Sequence, residues 1–229
     1  MGLKMSVEKR YDRCVITGCD EKTAWQLDWF LANYRENAYE PLIIADFGMS
    51  QETLNKVRFF PGVSGIMDLK ETPDKGWFNK PIAMLHAPAK EVVWLDTDCE
   101  VKSTLTPLFK LLVPQKLNMV EDKPWTKRRG EVWHNSGVVG FIDRPGILHQ
   151  WCHAVRDKPE VGDQEVLHSL LNPITRMTYI NDLPFEWNVM RLATDHDDYK
   201  GKIRIAHHTG EKGKDKIRGL MQIRRVMNG

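Results

Sequence analysis

The sequence predicts an α/β protein with a parallel central sheet flanked by helices. Two observations carry this prediction: strand-like and helix-like segments alternate along the first part of the chain, and the strand-like segments are continuous apolar runs. Such runs are typical of strands covered on both faces, as parallel strands are. The 229 residues can bury one sizeable core, so we expect a single domain over residues 1–229.

The elements of the parallel sheet are predicted in the first half, residues 1–117. Its strand-like segments are "RCVITGCD" at 13–20, "EPLIIADFG" at 40–48 and "VSGIMDL" at 63–69. Helices are predicted over 21–38, over 51–60 with Ser50 as N-cap, and over 76–89 with Pro81 in the first turn. The last helix leads into "EVVWLDTDCEV" at 91–101, which opens as a fully apolar strand.

The second half, residues 118–229, shows shorter strands and more loops. The strand-like segments here are "LNMVED" at 117–122, "GVVGFI" at 137–142, "ITRMTYI" at 174–180 and "KIRIAHH" at 202–208, and a helix is predicted over 162–171. From Lys200 onward nine basic residues stand against Glu211 and Asp215, a net charge of +7 in a chain whose overall charge is +2. Such a tail is typical of a solvated surface, and it also suits an anionic ligand such as a diphosphate or a nucleic acid backbone.

Composition and cysteine usage exclude several classes of protein. The hydrophobic fraction of 41% and the charged fraction of 28% are those of a globular protein, not of a disordered or fibrous chain. The longest apolar runs have the length of strands, so no membrane span is expected, and the charged N-terminus lacks the apolar core of a signal peptide. We therefore expect a cytoplasmic protein with four reduced thiols: Cys14, Cys19, Cys99 and Cys152.

Two carboxylates end the apolar strand at 91–95, because Asp96 and Asp98 follow it with only Thr97 between them. Ligands of open parallel sheets lie beyond the carboxyl ends of the strands, which is where these acids would be. Two convergent carboxylates are typical ligands of Mg²⁺ or Mn²⁺, ions that also hold substrate phosphates. The alternative is that the acids cap a following loop or helix.

Four segments in order resemble the nucleotide-sugar glycosyltransferases of the GT-A fold, in particular glycosyltransferase family eight, the glycogenin and galactosyltransferase-like group. They are "VVWLDTDCEV", "WHNSGVVGF" at 133–141, "GDQEVLHSLL" at 162–171 and "AHHTGEKGK" at 206–214. The resemblance covers residues 13–214 and implies a GT-A domain with a mixed, mostly parallel central sheet flanked by helices. Its first half, 1–117, would bind the nucleotide and end in the DxD strand, and its second half, 118–229, would bind the acceptor and carry the basic tail.

The resemblance implies a metal and diphosphate site. Asp96, Asp98 and His207 would ligate Mn²⁺ or Mg²⁺. Gly210 and a following lysine would meet the diphosphate of the donor, but Gly213 stands where the family has its lysine. The lysine is therefore Lys212 or Lys214.

The resemblance also implies the residues around the two substrates. Asp163, Gln164 and Asn135 would be the catalytic residues facing the reacting sugar. The remaining residues implied to bind the donor are Thr17, Gly18, Cys19, Lys80, Thr97, Ser136 and Gly137. Gly137 would permit close backbone approach.

The implied activity is metal-dependent transfer of a sugar from a nucleotide diphosphate sugar, with a UDP-sugar favoured, and with retention of anomeric configuration. The favoured acceptor is a saccharide or polysaccharide precursor. The second is nucleic acid with a hydroxylated base, on which Trp125 or Trp187 could stack. The alternative function is a GT-A-like module that binds nucleotide or nucleic acid without turnover. An inverting enzyme would need a base, for which Glu186 or Asp163 could serve, although an ion pair is the favoured role of Glu186.

Overall fold

The computed structural model describes residues 11–70, 78–157, 161–196 and 199–228. Ten strands are described: β1 (Tyr11–Cys19), β2 (Leu42–Asp46), β3 (Val63–Asp68), β4 (Ala89–Leu95), β5 (Cys99–Val101), β6 (Leu117–Glu121), β7 (His134–Ile142), β8 (Ile180–Asp182), β9 (Val189–Met190) and β10 (Ile205–His207). The described helices are α1 (Leu27–Asn37), α2 (Gln51–Arg58), α3 (Asn79–Leu85), α4 (Thr106–Phe109), α5 (Lys123–Arg129), α6 (Gly146–Asp157), α7 (Asp163–Ser169), α8 (Pro173–Tyr179), α9 (Arg191–Asp195) and α10 (Gly210–Asn228).

The central sheet has seven strands in the order β3-β2-β1-β4-β7-β6-β8. β1 pairs in parallel with β2 and β4, and β2 pairs in parallel with β3. β7 pairs antiparallel with both β4 and β6, and β6 pairs in parallel with β8. Only β7 therefore runs against the other six strands, which confirms the predicted mixed, mostly parallel sheet.

Helices cover both faces of this sheet and enclose two hydrophobic cores. One core packs α1 and α2 against the side chains of β1, β2 and β4 that include Val15, Ile44 and Val93. The other packs α3, α6 and α7 against the opposite face, where Ile16, Ile43 and Trp94 lie. Alternate residues of one strand thus enter opposite cores, which explains why these strands are apolar throughout.

A second, three-stranded sheet has the order β5-β10-β9. β10 pairs antiparallel with β5, so that His207 lies opposite Cys99, and pairs in parallel with β9. Since β5 follows β4 after only three residues, this pairing brings the late residue His207 to the carboxyl end of the central sheet.

Several local predictions are confirmed by the structure. The side chain of Ser50 caps α2 by accepting a hydrogen bond from the Thr53 N–H at 3.2 Å. Pro81 lies in the first turn of α3. The thiols of all four cysteines are free and buried. No helix within the described ranges is long and apolar enough to cross a membrane.

The prediction of a strand over 174–180 is wrong, because residues up to Tyr179 form α8 and only Ile180 begins β8. Asn172 caps this helix by accepting from the Thr175 N–H, and the Thr175 side chain accepts in return from the Asn172 N–H. This reciprocal capping and Pro173 at the first turn outweigh the β propensity of the segment. Sequence reasoning also missed α6 and the helical conformation of the basic tail, α10.

Candidate active site

The loop after β4 carries Asp96 and Asp98 and is held on both sides by backbone hydrogen bonds. The Asp96 N–H donates to the Gly137 carbonyl of β7 at 2.9 Å, and the Cys99 N–H donates to the Asp96 carbonyl at 3.0 Å. The chain thus turns tightly between β4 and β5. The two carboxylates leave this turn toward different partners.

Asp98 and His207 form what we call the metal pair. Asp98 Oδ1 lies 3.1 Å from His207 Nε2, and the His208 N–H donates to the Asp98 carbonyl at 3.0 Å. The pairing of β5 with β10 produces this contact between residues far apart in the chain. It brings together two of the three predicted metal ligands.

Gly137 leaves the space that the imidazole of His207 occupies. A Cβ atom at position 137 would lie 2.1 Å from His207 Cε1, far inside van der Waals contact. The predicted need for close approach at Gly137 therefore has a specific cause, because only glycine allows β7 to pass directly beneath the metal pair.

Each member of the metal pair shifts the pKa of the other. Burial alone would raise the pKa of Asp98, but the adjacent His207 outweighs burial and holds that pKa below its usual value. Burial alone would lower the pKa of His207, yet the charge and hydrogen bond of Asp98 raise it above its usual value. Asp98 is therefore a carboxylate at neutral pH.

Lys80, Asp96 and Asp163 form a second group, the inner cluster. Lys80 Nζ lies 3.0 Å from Asp96 Oδ1 and 3.0 Å from Asp163 Oδ2. It also donates to the carbonyl and hydroxyl oxygens of Ser136, both at 3.2 Å. The indole N–H of Trp94 donates to Asp96 Oδ1 at 2.6 Å. Asp96 is thus engaged by a lysine and a tryptophan.

The ammonium group of Lys80 is enclosed, since its side chain is 4% exposed. Burial alone would lower its pKa, but the charges of Asp163 and Asp96 outweigh burial and raise the pKa above the usual value. Lys80 is therefore a permanent cation between two carboxylates.

Two cavities meet at the inner cluster and Asp98. We call the first the donor cavity; it measures about 180 Å³ and is lined by Gly18, Cys19, Asp20, Thr23, Gln26, Phe47, Trp94, Thr97 and Lys214 in addition to the shared acids and Lys80. Its wall follows the carboxyl ends of β1, β2 and β4, as expected for an open parallel sheet. Phe47 stacks on Trp94 with ring centroids 6.3 Å apart. Thr17 is fully buried and lies outside this lining.

The second cavity, the acceptor cavity, measures about 270 Å³ and reaches the other side of the same acids. Besides those acids and Lys80 it is lined by Asp122, Pro124, Trp125, Asn135, Ser136, Gly137, Gln164, Glu165, Met190, Leu192, His207, Thr209 and Gly210. All three residues predicted to be catalytic, Asp163, Gln164 and Asn135, therefore line it.

Polar contacts order the side chains of Asn135 and Gln164. Asn135 Nδ2 donates to Asp122 Oδ2 and to Gln164 Oε1, both at 3.1 Å. Gln164 Oε1 also accepts from the Ser136 N–H at 3.2 Å, and its Nε2 donates to Asp122 Oδ2 at 3.2 Å. Asp122, which also caps α5 through the Trp125 N–H, thus holds both amides in place.

The first turn of α10 separates the two candidate lysines. Lys214 lines the donor cavity and contacts Glu211 at 2.7 Å, whereas Lys212 is exposed and lines neither cavity. A Cβ atom on Gly213 would lie 1.9 Å from the His208 carbonyl oxygen, so the backbone leaves no room for a side chain at that position. Gly210 has φ +72°, a conformation that favours glycine.

Two other residues considered from the sequence, Trp187 and Glu186, lie outside the lining of both cavities. Trp187 is 1% exposed, so the prediction that it could stack on a base is wrong. Glu186 pairs with Arg204, the ion-pair role that was favoured for it. Asp163 is also paired, with Lys80. Both acids named as possible bases for an inverting reaction therefore have a cation as partner.

Sequence reasoning missed Asp122, Glu165, Phe47 and Asn188. Asp122 carries a local signal, since an acid before "KP" is a typical helix N-cap, but its contact with Asn135 depends on the pairing of β6 with β7. Asn188 is fully buried within "LPFEWN", and no local pattern distinguishes it from a turn residue.

The donor atoms at the metal pair fit a hard or borderline divalent cation. A carboxylate oxygen and an imidazole nitrogen are both ligands that divalent cations accept. Cys99 Sγ lies close enough to join a group with Asp98 and His207. Burial raises the pKa of the Cys99 thiol well above its usual value, and the thiol donates to the Gly137 carbonyl at 3.6 Å. In the metal-free site Cys99 is therefore a thiol, and Asp98 and His207 supply the oxygen and nitrogen atoms of the group.

The fold with this cleft at its strand ends is the GT-A fold of the nucleotide-sugar glycosyltransferases. An active-site mutant of LgtC aligns with a TM-score of 0.62 at 16% identity, over 86% of this chain and 87% of LgtC. Apo GlyE of Streptococcus pneumoniae aligns with a TM-score of 0.64 at 18% identity, over 88% of this chain and 55% of GlyE. Mouse xyloside xylosyltransferase 1 aligns with a TM-score of 0.55 at 14% identity, over 87% of this chain and 97% of the mouse protein. No protein-family model and no curated protein sequence matches the chain.

Proposed function

We propose that this protein is a metal-dependent glycosyltransferase that moves a sugar from a nucleotide diphosphate sugar, with a UDP-sugar favoured, to a saccharide acceptor. The observation that carries the proposal is the metal pair. Asp98 and His207 meet at 3.1 Å where the donor and acceptor cavities join. A cation held there would lie between the two substrates.

Mn²⁺ or Mg²⁺ is the proposed ion, with Asp98 and His207 as ligands and Asp96 as the third. When bound, the ion neutralises the charge that grows on the diphosphate as the glycosidic bond breaks. Lys214 is the proposed lysine at the diphosphate, because it lines the donor cavity and Lys212 does not. Its ammonium group would add fixed positive charge near the leaving group.

The donor cavity supports a nucleoside position between β1 and β2. Gly18, Cys19 and the aromatic residue Phe47 line this cavity. A planar base can stack on an aromatic face. Asp20, Thr23 and Gln26 supply polar groups along the same cavity for the ribose or the base.

The inner cluster supports the position of the transferred sugar. Lys80 neutralises Asp163 and Asp96, so these carboxylates act as hydrogen-bond acceptors for sugar hydroxyls in an electrically balanced site. Gln164 lies beside them with its amide fixed by Asp122 and Ser136. We propose retention of configuration, because Asp163 is paired and Glu186 lies outside the cavity lining. Glu165 lines the acceptor cavity and is the carboxylate to replace if inversion is observed.

The acceptor cavity supports a saccharide acceptor that passes over Trp125. The indole is part-exposed on α5, and the guanidinium groups of Arg129 and Arg128 lie 4.9 and 5.7 Å from its centroid. Aromatic faces are common platforms for sugars and for bases. LgtC was solved in complex with donor and acceptor sugar analogs, which favours the saccharide.

Nucleic acid is the second acceptor class, and three of the cations of the basic tail are held in ion pairs. Within α10, Lys214 pairs with Glu211 and Arg218 with Asp215, and Arg224 pairs with Glu36 of α1. Glu211 and Asp215 are already counted in the net charge of +7, so only the pair with Glu36 lowers it, to +6. The four buried free cysteines support a reducing compartment, and a cytoplasmic location is part of the proposal.

The test is calorimetry and hydrolysis with a panel of nucleotide diphosphate sugars, with and without Mn²⁺. We expect the wild type to bind and slowly hydrolyse one donor in the presence of Mn²⁺, and Asp98→Ala to lose roughly 100-fold or more in metal-dependent donor affinity. Asp12→Ala is the matched control, because Asp12 is exposed at the opposite end of β1.

Two outcomes would contradict the proposal. Absence of metal-dependent donor binding in the wild type would exclude the transferase site. Tight donor binding that is lost with Asp98→Ala, without hydrolysis or transfer to any saccharide or DNA acceptor, would favour the binding module instead.

A further inference from the structure

A chain of buried amide side chains connects the metal pair to the residues at the reacting sugar. His207 Nδ1 lies 3.0 Å from Asn188 Oδ1, and Asn188 Nδ2 donates to Asn135 Oδ1 at 2.8 Å. Asn188 is 0% exposed. Beyond Asn135 the chain continues to Asp122 and Gln164. A buried chain of this kind fixes which atoms donate and which accept.

Two hydrogen-bond partners, one that only donates and one that only accepts, fix the orientation of the Asn135 amide. The Gly137 N–H donates to Asn135 Oδ1 at 2.9 Å, and the carboxylate of Asp122 accepts from Asn135 Nδ2 at 3.1 Å. A backbone N–H only donates and a carboxylate only accepts, so an amide turned by 180° would lose both hydrogen bonds. Asn135 therefore presents its oxygen to Asn188.

This orientation decides the protonation of His207. Facing an oxygen, Asn188 must present its NH₂ group to Asn135, and its own oxygen then points at His207 Nδ1. Nδ1 must carry a proton in order to donate to that oxygen. Without an ion, Nε2 donates its own proton to Asp98 Oδ1 at 3.1 Å. If a cation took the place of that proton, the ring would keep its remaining proton on Nδ1 and offer the lone pair of Nε2 to the cation.

We infer that Asn188 is a positioning residue of the metal centre, which holds His207 in the tautomer whose Nε2 can ligate a divalent cation. The inference rests on the proposed function, since it assigns a role toward the ion proposed there. Asn188 is absent from the lining of both cavities, so it acts through His207 and not on the substrates. Loss of such an outer partner typically costs roughly 10–100-fold in metal affinity.

The matched pair Asn188→Leu and Asn188→Asp separates this role from a general effect on folding. Both substitutions remove the donor toward Asn135, so both lose the same hydrogen bond. Only Asn188→Asp keeps an oxygen that can accept from His207 Nδ1. In calorimetric titration with Mn²⁺ alone, we expect roughly 10–100-fold weaker binding for Asn188→Leu and binding within a few-fold of the wild type for Asn188→Asp.

A second measurement needs no variant at position 188. Long-range ¹H–¹⁵N spectra of the histidine-labelled wild type, with diamagnetic Mg²⁺ present, report which ring nitrogen carries the proton. The signal of His207 among the eight histidines is assigned by its absence in His207→Gln. We expect a protonated Nδ1 and an unprotonated Nε2.

The outcomes separate this inference from the proposed function. A proton on Nε2 with a bare Nδ1, or equal losses of Mn²⁺ affinity in both variants, overturns the role of Asn188. If the wild type binds Mn²⁺ and Asn188→Leu binds it as tightly, only the role of Asn188 fails. If the wild type binds no Mn²⁺, the metal-dependent function fails and the inference fails with it.

Discussion

Asp96 and Asp98 are two residues apart in the sequence, yet they belong to two clusters with different partners. The inner cluster joins α3, the end of β4 and the start of α7, and its carboxylates share the buried ammonium group of Lys80 at 3.0 Å. The metal pair joins the loop after β4 to β10, and its carboxylate faces an imidazole at 3.1 Å. One cluster contains its own cation, whereas the other presents two ligand atoms to a shared cavity.

The difference indicates that Asp96 and Asp98 have different main roles. Lys80 holds the shape of the cleft by neutralising two buried carboxylates, so its loss is expected mainly to change stability. A carboxylate beside an imidazole is available to a metal ion, and its loss is expected mainly to change binding. The following predictions test this difference.

The largest effect on stability is expected for Lys80→Met, because it leaves Asp96 and Asp163 buried without their cation. Removing one partner of a buried ion pair costs about 3–5 kcal/mol of the free energy of unfolding. Chemical denaturation of the variant measures this loss. Lys90→Met is the control, since Lys90 is 65% exposed and its pair with Asp143 spans 3.7 Å, a surface contact worth about 1 kcal/mol or less. Equal stability of the two variants would contradict the structural role of the inner cluster.

Gly137→Ala tests the metal pair by steric means. The added methyl group would overlap the imidazole of His207, and displacing a well-packed group costs about 1–3 kcal/mol of stability. We expect weaker Mn²⁺ binding as well, measured by calorimetry. Gly146→Ala is the matched control, because a Cβ atom there meets nothing within 4 Å. Unchanged Mn²⁺ affinity in Gly137→Ala would show that the position of His207 is not set by β7.

Glu100→Gln tests the small sheet that holds the metal pair. Burial alone would raise the pKa of Glu100, but hydrogen bonds from His208 and Lys102 outweigh burial and lower it from 4.5 to about 2. A carboxyl with a depressed pKa in the folded state adds stability above its unfolded pKa, and this contribution is lost as the pH falls from 4.5 toward 2.

For Glu100 we expect the variant to be about 2 kcal/mol less stable than the wild type at pH 7, which allows for partial exposure of the side chain. Denaturation curves from pH 7 to pH 3 should show the difference narrowing as the pH falls. Glu52→Gln, at the exposed pair of Glu52 with Lys56, should show a smaller difference. A constant difference for Glu100→Gln at every pH would contradict the assigned pKa.

The smallest effect is expected for Trp125→Ala, which leaves both clusters in place. Loss of the aromatic face should raise KM for the acceptor about threefold to tenfold, because an aromatic contact is worth about 0.5–1.5 kcal/mol. The affinity for the donor should not change. Trp125→Phe keeps an aromatic ring and should stay near the wild type. A change in donor affinity, with KM for the acceptor unaltered, would indicate that Trp125 contacts the donor and not the acceptor.

Much of the fold could be predicted from local patterns. The apolar runs of β1, β2 and β4 are fully buried as predicted, because sheet strands covered on both faces admit few polar residues. The segment at 174–180 misled the prediction, since Ile174 and Thr178 favour strands while Asn172 and Pro173 favour a helix start, and the cap prevailed. In α6 the buried residues Ile147, Leu148, Trp151, Cys152 and Val155 follow the helical period, so the signal was present and unused.

The candidate site, like the fold, could be predicted only in part from the sequence. Asp96 and Asp98 could be found from the sequence because they are acids at the end of an apolar strand. His207 was predicted as a further metal ligand from the resemblance of short motifs. Asn188 and Asp122 could not be found in this manner, because their importance lies in contacts with Asn135 made across the fold. Periodicity encodes which face a residue occupies, but it does not encode which distant polar atom it will meet.

The pairing of β5 with β10 makes the site depend on contacts between residues far apart in the chain. Glu100 and His208 meet across 108 positions of sequence, and Asp98 and His207 lie immediately beside them. Contacts of such long range form slowly, since the intervening chain must be ordered first. A nascent or truncated chain that lacks β10 lacks the imidazole ligand His207, whatever the state of its central sheet. Uptake of Mn²⁺ would then report on completion of the whole chain, and it could time the last step of refolding in a stopped-flow experiment.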